Sequence, residues 1–220
     1  MIFLTKERFK SIFKRLLILF FLFTIYFIIC AVSYTNATCN GIAENVFRLH
    51  VIANSDTQED QNLKYIVRDE IIKYINEVSK NANSKEEVIK IAKNNIDKIK
   101  FIANKTIKDN GYNYSVNVVV GNFSFPTKQY GDIKLPPGNY DALRIEIGEA
   151  KGQNWWCVMF PPLCFVDVTS GIVPDESKEI MKENLTDEEY DLISKDDDDV
   201  KVKFKIVEVL QNFTISGIFM

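Results

Sequence analysis

The sequence predicts an α+β domain: a mixed or antiparallel sheet packed with two long helices, preceded by an N-terminal signal or transmembrane helix. Three observations carry that expectation: an uncharged apolar stretch behind a basic N-terminus, helical-period segments between residues 57 and 109, and alternating apolar runs on either side of them. The 220 residues hold 27 Lys+Arg against 30 Asp+Glu, 46% hydrophobic residues, four Cys and one His. That apolar fraction, with a net charge of only -3, excludes a disordered chain. The absence of a basic excess argues against nucleic-acid binding by phosphate neutralisation. A single His excludes histidine-rich metal chemistry and any mechanism with two imidazoles. No GxxxxGK[ST], GxGxxG or HExxH pattern occurs. No cofactor, metal ligand set or catalytic residue is therefore expected.

The first fifteen residues carry Lys6, Arg8, Lys10, Lys14 and Arg15 against Glu7, and no charge follows from Leu16 to Ala43. The apolar heart, residues 16–32, is at the short limit for a membrane span and long for a signal-peptide core. The basic flank stays in the cytoplasm by the positive-inside rule, so the rest of the chain is exported. Residues 1–40 form a signal peptide or a membrane anchor, and 41–220 form the exported domain. Thr35, Asn36 and Ala37 offer a weak cleavage site, and Thr38 before Cys39 fits a lipoprotein signal poorly. Removing five cations and one acid leaves 22 against 29, a net charge of -7. Anionic headgroups repel such a domain, which points to a protein partner.

Val46 to Ala53 alternates, with Phe47, Leu49 and Val51 on one face and Arg48 and His50 on the other, as in a half-buried strand. Asp56 and Glu59 have the spacing of a capping box, and apolar residues from Leu63 to Val78 give a helix over 57–79. Ser84 and Glu87 form a second box, starting a helix that runs to Asp109 and stops at Gly111. Tyr112, Tyr114, Val116, Val118 and Val120 alternate as a strand. A turn follows at 135–139, with Gly138 free for a positive φ. Leu143, Ile145 and Ile147 form the next strand, ended by Gly148. The turn 151–153 leads into the apolar run 155–160, broken by Pro161 and Pro162. A helix is expected over 175–195, with Thr186 and Glu189 as a third box. Asp196 to Asp199 reads as a solvated turn rather than a calcium loop, and 202–210 is apolar without a clear period.

Cys157 and Cys164 close a short Pro-containing loop. In an oxidising compartment they point to a disulfide. Two buried thiols, or a reactive thiol with His50 as base, are the alternatives. Arg48, His50, Asn54 and Asp56 gather where the first strand meets its helix, a place for an anion or a partner side chain, or simply for helix caps. Trp155 and Trp156 lie on opposite faces of their strand, so one serves the core and the other is exposed.

Two long motifs carry a resemblance. Residues 47–64 (FRLHVIANSDTQEDQNLK), continuing through Val67, Arg68 and Asp69, resemble the N-terminal signature of the stage II sporulation protein R family. Residues 136–148 (PPGNYDALRIEIG) and 152–165 (GQNWWCVMFPPLCF) resemble its central signature. Ala150 stands where a Gly is expected before the Lys151-Gly152 turn, and the tail after about 170 is only loosely similar. The resemblance implies an endospore former, and a Lys-, Asn- and Ile-rich chain suits a low-GC one. It implies export across the forespore membrane into the intermembrane space, with residues 16–32 as the anchor if the leader is retained. There, family members activate a mother-cell membrane aspartic protease, which cleaves pro-sigma-E. The family supplies no catalytic residues to carry over. The expected contacts are Arg48, His50, Asn54, Asp56 and Asp60 from the first motif, and Asn154, Trp155, Trp156, Pro161 and Pro162 from the second. The rival expectation is an exported thiol-dependent hydrolase or wall-modifying enzyme using Cys157 or Cys164 with His50. A third is an anchored structural protein of the septal space.

Overall fold

Nothing between Leu16 and Ala43 interrupts helical hydrogen bonding with a charge or a proline, and the segment lies within one long helix, α1 (Lys6–Glu44). A computed structural model describes residues 6–164 and 173–194. Asp196 to Asp199 and the apolar stretch 202–210 lie outside the described residues. The chain divides into two units, Met1–Thr38 and Cys39–Met220. The first is the apolar part of α1, whose large side chains from Phe9 to Ile29 are exposed. It is long and apolar enough to cross a membrane.

The second unit is α+β with a mixed sheet. Its four strands are β1 (Phe47–Ile52), β2 (Val116–Phe125), β5 (Gly138–Ile147) and β6 (Asn154–Phe160), in the order β2-β5-β1-β6. β1 runs parallel to β5 and antiparallel to β6, while β2 and β5 are antiparallel. A separate hairpin joins β3 (Lys128–Tyr130) and β4 (Ile133–Leu135). Three helices fill the crossover from β1 to β2: α2 (Gln58–Val78), α3 (Lys85–Asn94) and α4 (Ile96–Asp109). Two short ones, α5 (Asp175–Asn184) and α6 (Asp187–Ser194), close the described chain.

Each face of the sheet carries a packed layer, complete on the helix side and partial on the other. Phe47, Leu49 and Val51 join Leu63, Val67, Ile71, Ile99 and Ala103 of the crossover helices in one core. The opposite face meets Ile42 and Ala43 at the end of α1, Ile133 and Leu135 of the hairpin, and Met181 and Ile193. β1, expected to be half-buried with Arg48 and His50 on a solvated face, is therefore buried at all six positions. The alternation is real, but β1 is a central strand, and the polar-looking face meets a second apolar layer.

Local chemistry explains the remaining differences. The second crossover helix is interrupted at Asn95, whose amide donates to the Ile91 carbonyl at 2.8 Å and accepts the Tyr74 hydroxyl at 2.6 Å. A side chain that competes for a helix carbonyl, pinned by a tertiary bond, ends α3 and restarts the chain as α4. The cap of α2 is Thr57 rather than Asp56, because the Asp56 carboxylate is used elsewhere. Ser84 and Thr186 cap α3 and α6 as expected, with Glu87 and Glu189 returning bonds. The expected helix over 175–195 is split between Asn184 and Asp187. β2 starts at Val116 and continues to Phe125 because β5 pairs with it throughout, leaving Tyr112 and Tyr114 before the strand. Gly111 stops α4 at φ 84°, whereas Gly138 takes no positive φ and opens β5.

One anchor had no sequence signal. Lys85 is buried on α3, where its ammonium pairs with Asp141 at 2.7 Å and donates to the Glu44 carbonyl at 2.9 Å. A cation thus satisfies an orphan carbonyl at the end of α1 while joining α3 to β5.

Two substitutions in the turn between β5 and β6 have opposite expected signs. Ala150 has φ 51°, a left-handed conformation that a Cβ disfavours by about 1 kcal/mol. Ala150→Gly should raise stability by up to about 1 kcal/mol in denaturant unfolding. At Gly152 a Cβ would collide with the Ser55 carbonyl, so Gly152→Ala should lower stability by about 2 kcal/mol or more.

Candidate functional site

The two sequence motifs fold into one braced unit. Where β1 gives way to α2, Asn54 accepts a hydrogen bond from the Glu149 N–H at 2.9 Å and donates to the Asp60 carboxylate at 2.8 Å. The Asp56 carboxylate accepts the Gln153 N–H at 2.7 Å. Main-chain bonds from Lys151 to the Asn54 carbonyl and from Gly152 to the Ala53 carbonyl complete the junction. Lys64 and Gln61 reach in from α2, with the Lys64 ammonium donating to Gln61 at 2.6 Å and to the Gln153 carbonyl at 3.1 Å. Burial opposes ionisation of Asp60, but hydrogen bonds from Ser55 and Asn54 outweigh it and hold the carboxyl below its ordinary range. Burial lowers the Lys64 ammonium, helped by Arg68. Asn54, Asp56 and Asp60 thus hold the β5–β6 turn against the start of α2.

Arg48 and His50 lie on the other side of the sheet. Arg48 is fully buried, its guanidinium 4.1 Å from the Phe125 ring centroid and 4.7 Å from that of Tyr140. Its Nη2 donates to the Tyr130 hydroxyl at 2.6 Å, and Tyr130 in turn donates to the Trp156 carbonyl at 3.2 Å. His50 stacks on Trp156 with centroids 5.7 Å apart, and its Nε2 lies 2.7 Å from Asn154 Oδ1. The amide oxygen fixes the imidazole proton on Nε2, which leaves Nδ1 a buried acceptor without a partner. Burial pushes the His50 pKa down. Arg144 and Arg48 add to that, against the Asn154 bond and Glu146.

Trp155 and Trp156 occupy opposite faces, both half-buried. Trp155 meets Tyr65 edge-on at 5.5 Å, with Arg68 4.2 Å above its ring. Trp156 carries Lys128 4.3 Å above its ring. Among the described residues, neither indole N–H has an acceptor. Beyond them, Cys157 and Cys164 are joined as a disulfide with Cα atoms 5.2 Å apart, and the Phe160–Pro161 bond is cis. The Leu163 N–H returns to the Val158 carbonyl, and the Pro162 carbonyl accepts from Ser177 of α5. Cys157 opposes Leu49 and packs in the helix-side core, whereas His50 faces the other layer. Cys164 also packs against the helix-side core, and both sulfurs are held in the disulfide.

Residues 43–170 match the family described as stage II sporulation protein R. The chain belongs to this family. It is also similar to the stage II sporulation protein R of Bacillus subtilis (strain 168), with 37% identity over 180 residues, 76% of this chain and 80% of that protein. No solved structure matches. The family match spans the whole four-stranded sheet, the crossover helices and the Cys157–Cys164 loop, and it stops short of α5 and α6. A sporulation role follows from membership. The apolar α1 ahead of the matched region fits a signal or membrane anchor.

Sequence reasoning missed Lys128, Tyr130 and Arg144. Arg144 alternates with Leu143 and Ile145 like any solvated residue, and only the register sets it beside His50. Lys128 and Tyr130 lie on a three-residue strand too short to show a period.

The buried His50 makes a pH prediction. Its folded-state pKa lies below the ordinary 6.5, so unfolding takes up a proton once the pH falls below that value. Stability is fully present above about 6.5 and declines as the pH falls toward the depressed folded value. Since this is the one His, the stability difference between pH 7.5 and 5.5 should shrink in His50→Gln, measured by urea unfolding of the full chain in detergent. An unchanged difference contradicts the burial of a neutral imidazole.

Proposed function

We propose that the chain is an exported signalling protein that activates a mother-cell membrane aspartic protease, triggering cleavage of pro-sigma-E. Membership of the stage II sporulation protein R family, with an apolar leader ahead of the matched region, carries this reading. On it, residues 1–40 deliver the chain across the forespore membrane and are then cleaved or kept as an anchor. Residues 41–220 act in the intermembrane space. The chemistry is binding and no covalent step belongs to this chain. A domain that binds the active state of the protease about 3 kcal/mol more tightly than the inactive one shifts their ratio by more than a hundredfold. The contact surface is centred on the half-buried Trp155 and Trp156, one on each face of β6, with the exposed Asn154 and Pro162 beside them, while the buried Arg48, His50 and Pro161 support it from within rather than touch the partner. Asn54, Asp56 and Asp60 support it by holding the turn that leads into β6.

The reading is tested in a host that does not sporulate, expressing the protease and pro-sigma-E. Immunoblots should show pro-sigma-E cleavage with the full chain and none when residues 1–40 are removed. Absence of cleavage with all three proteins folded and present contradicts the activator function. In the same assay Trp155→Ala or Trp156→Ala, in a chain that keeps its fold, should reduce cleavage several-fold. Full cleavage with both single variants removes the tryptophans from the contact surface.

A further inference from the structure

The face of the sheet that carries Arg48 is only partly covered. The strand register sets Val119, Arg144, His50 and Trp156 in one row across β2, β5, β1 and β6, with Arg48 in the neighbouring row beside Tyr130. Val119 is 40% exposed, the Arg144 side chain retains 31% exposure and Trp156 is half-buried, so the row is a shelf open on either side of the buried His50. Its hydrogen-bonding groups are poorly matched. Arg144 Nε, Trp156 Nε1, and Arg48 Nε and Nη1 are all buried donors without an acceptor. The charges are poorly matched too. Lys128 stands over Trp156, and among the described residues no carboxylate pairs with Lys128 or Arg48. The acid on this shelf, Glu146, already accepts from Arg144 at 2.9 Å and from Asn117 at 2.9 Å.

Two cations, Lys128 and Arg144, and the unpartnered Arg144 Nε and Trp156 Nε1 donors thus share this shelf with one satisfied carboxylate and the His50 Nδ1 acceptor, above the buried Arg48 guanidinium, in a domain whose overall balance is acidic. We propose that this shelf binds the carboxylate side chains of an acidic peptide segment on a partner protein. A carboxylate between Lys128 and Arg144 supplies acceptors for the guanidinium and the indole N–H, in charge-assisted bonds that a neutral ligand does not make. The indole of Trp156 and the ring of Phe123, 5.0 Å from the Arg144 guanidinium, give the peptide stem apolar contact. An anionic membrane is the weaker candidate, since the net charge of -7 after the leader works against adsorption over a broad surface. The shelf deepens the binding role proposed above, resting on the chain acting through a protein partner, but its test does not use the protease.

The two tryptophans make the site observable. The full chain, labelled with ¹⁵N-tryptophan in detergent micelles, should give two indole N–H signals, assigned with Trp155→Phe. Blocked tetraglutamate should shift the Trp156 signal saturably and leave the Trp155 signal in place. Lys128→Glu, and separately Arg144→Gln, should weaken that binding at least tenfold while signal dispersion shows the fold intact. The proposal is overturned if the Trp156 signal stays still, if both indoles move alike, or if tetralysine gives the same shift. It is equally overturned if phosphatidylglycerol vesicles move the signal and the peptide does not. If the shift appears and the protease is nonetheless not activated, the activator reading fails and the site stands.

Discussion

A guanidinium with no access to solvent sits on the central strand, and the second layer of the domain is arranged around it. Arg48 is enclosed by Phe125 at the end of β2, Tyr140 at the start of β5 and Tyr130 on the hairpin. A desolvated cation is costly unless π-faces and a hydrogen bond replace water. Tyr130 supplies the bond and passes it on to the β6 main chain. The hairpin, whose Ile133 and Leu135 pack on this face, is thereby also tied to the sheet through one hydroxyl, two residues from Lys128 over Trp156.

The helix-side layer rests on different physics. There the sheet packs on α2 and α4 through aliphatic side chains, as binary patterning dictates. The junction of the two motifs is polar and saturated: Asn54, Asp56 and Asp60 each have a main-chain or side-chain partner. One face supplies stability and the junction supplies geometry. The partly open half of the other face retains donors and cations without acceptors. The rigid scaffold and the unsatisfied donors are thus opposite sides of one sheet.

Much of this was legible in the sequence because period and capping are local. The helix of 58–78, the caps at Ser84 and Thr186, and the stop at Gly111 follow from spacing alone. Alternation also placed the two tryptophans on opposite faces. What failed was the environment of a face. Arg48 and His50 alternate with apolar residues just as solvated residues do, and no local pattern shows that a hairpin about 80 residues later roofs one of them. The break at Asn95 depends on Tyr74, and the role of Asp56 depends on a turn nearly a hundred residues away. The same remoteness hid Arg144 and Lys128, which matter only through register and hairpin placement.

Tyr130→Phe tests most directly whether the Tyr130 hydroxyl holds the hairpin in place over Arg48. It removes the bonds to Arg48 and to the Trp156 carbonyl while keeping the ring. Hydrogen exchange of the full chain should then show faster exchange across residues 128–135 and at Trp156, with the amides of α2 and α4 unchanged. Unaltered hairpin protection, or a uniform loss across both layers, would contradict the claim that the Arg48–Tyr130 bond organises this side of the domain.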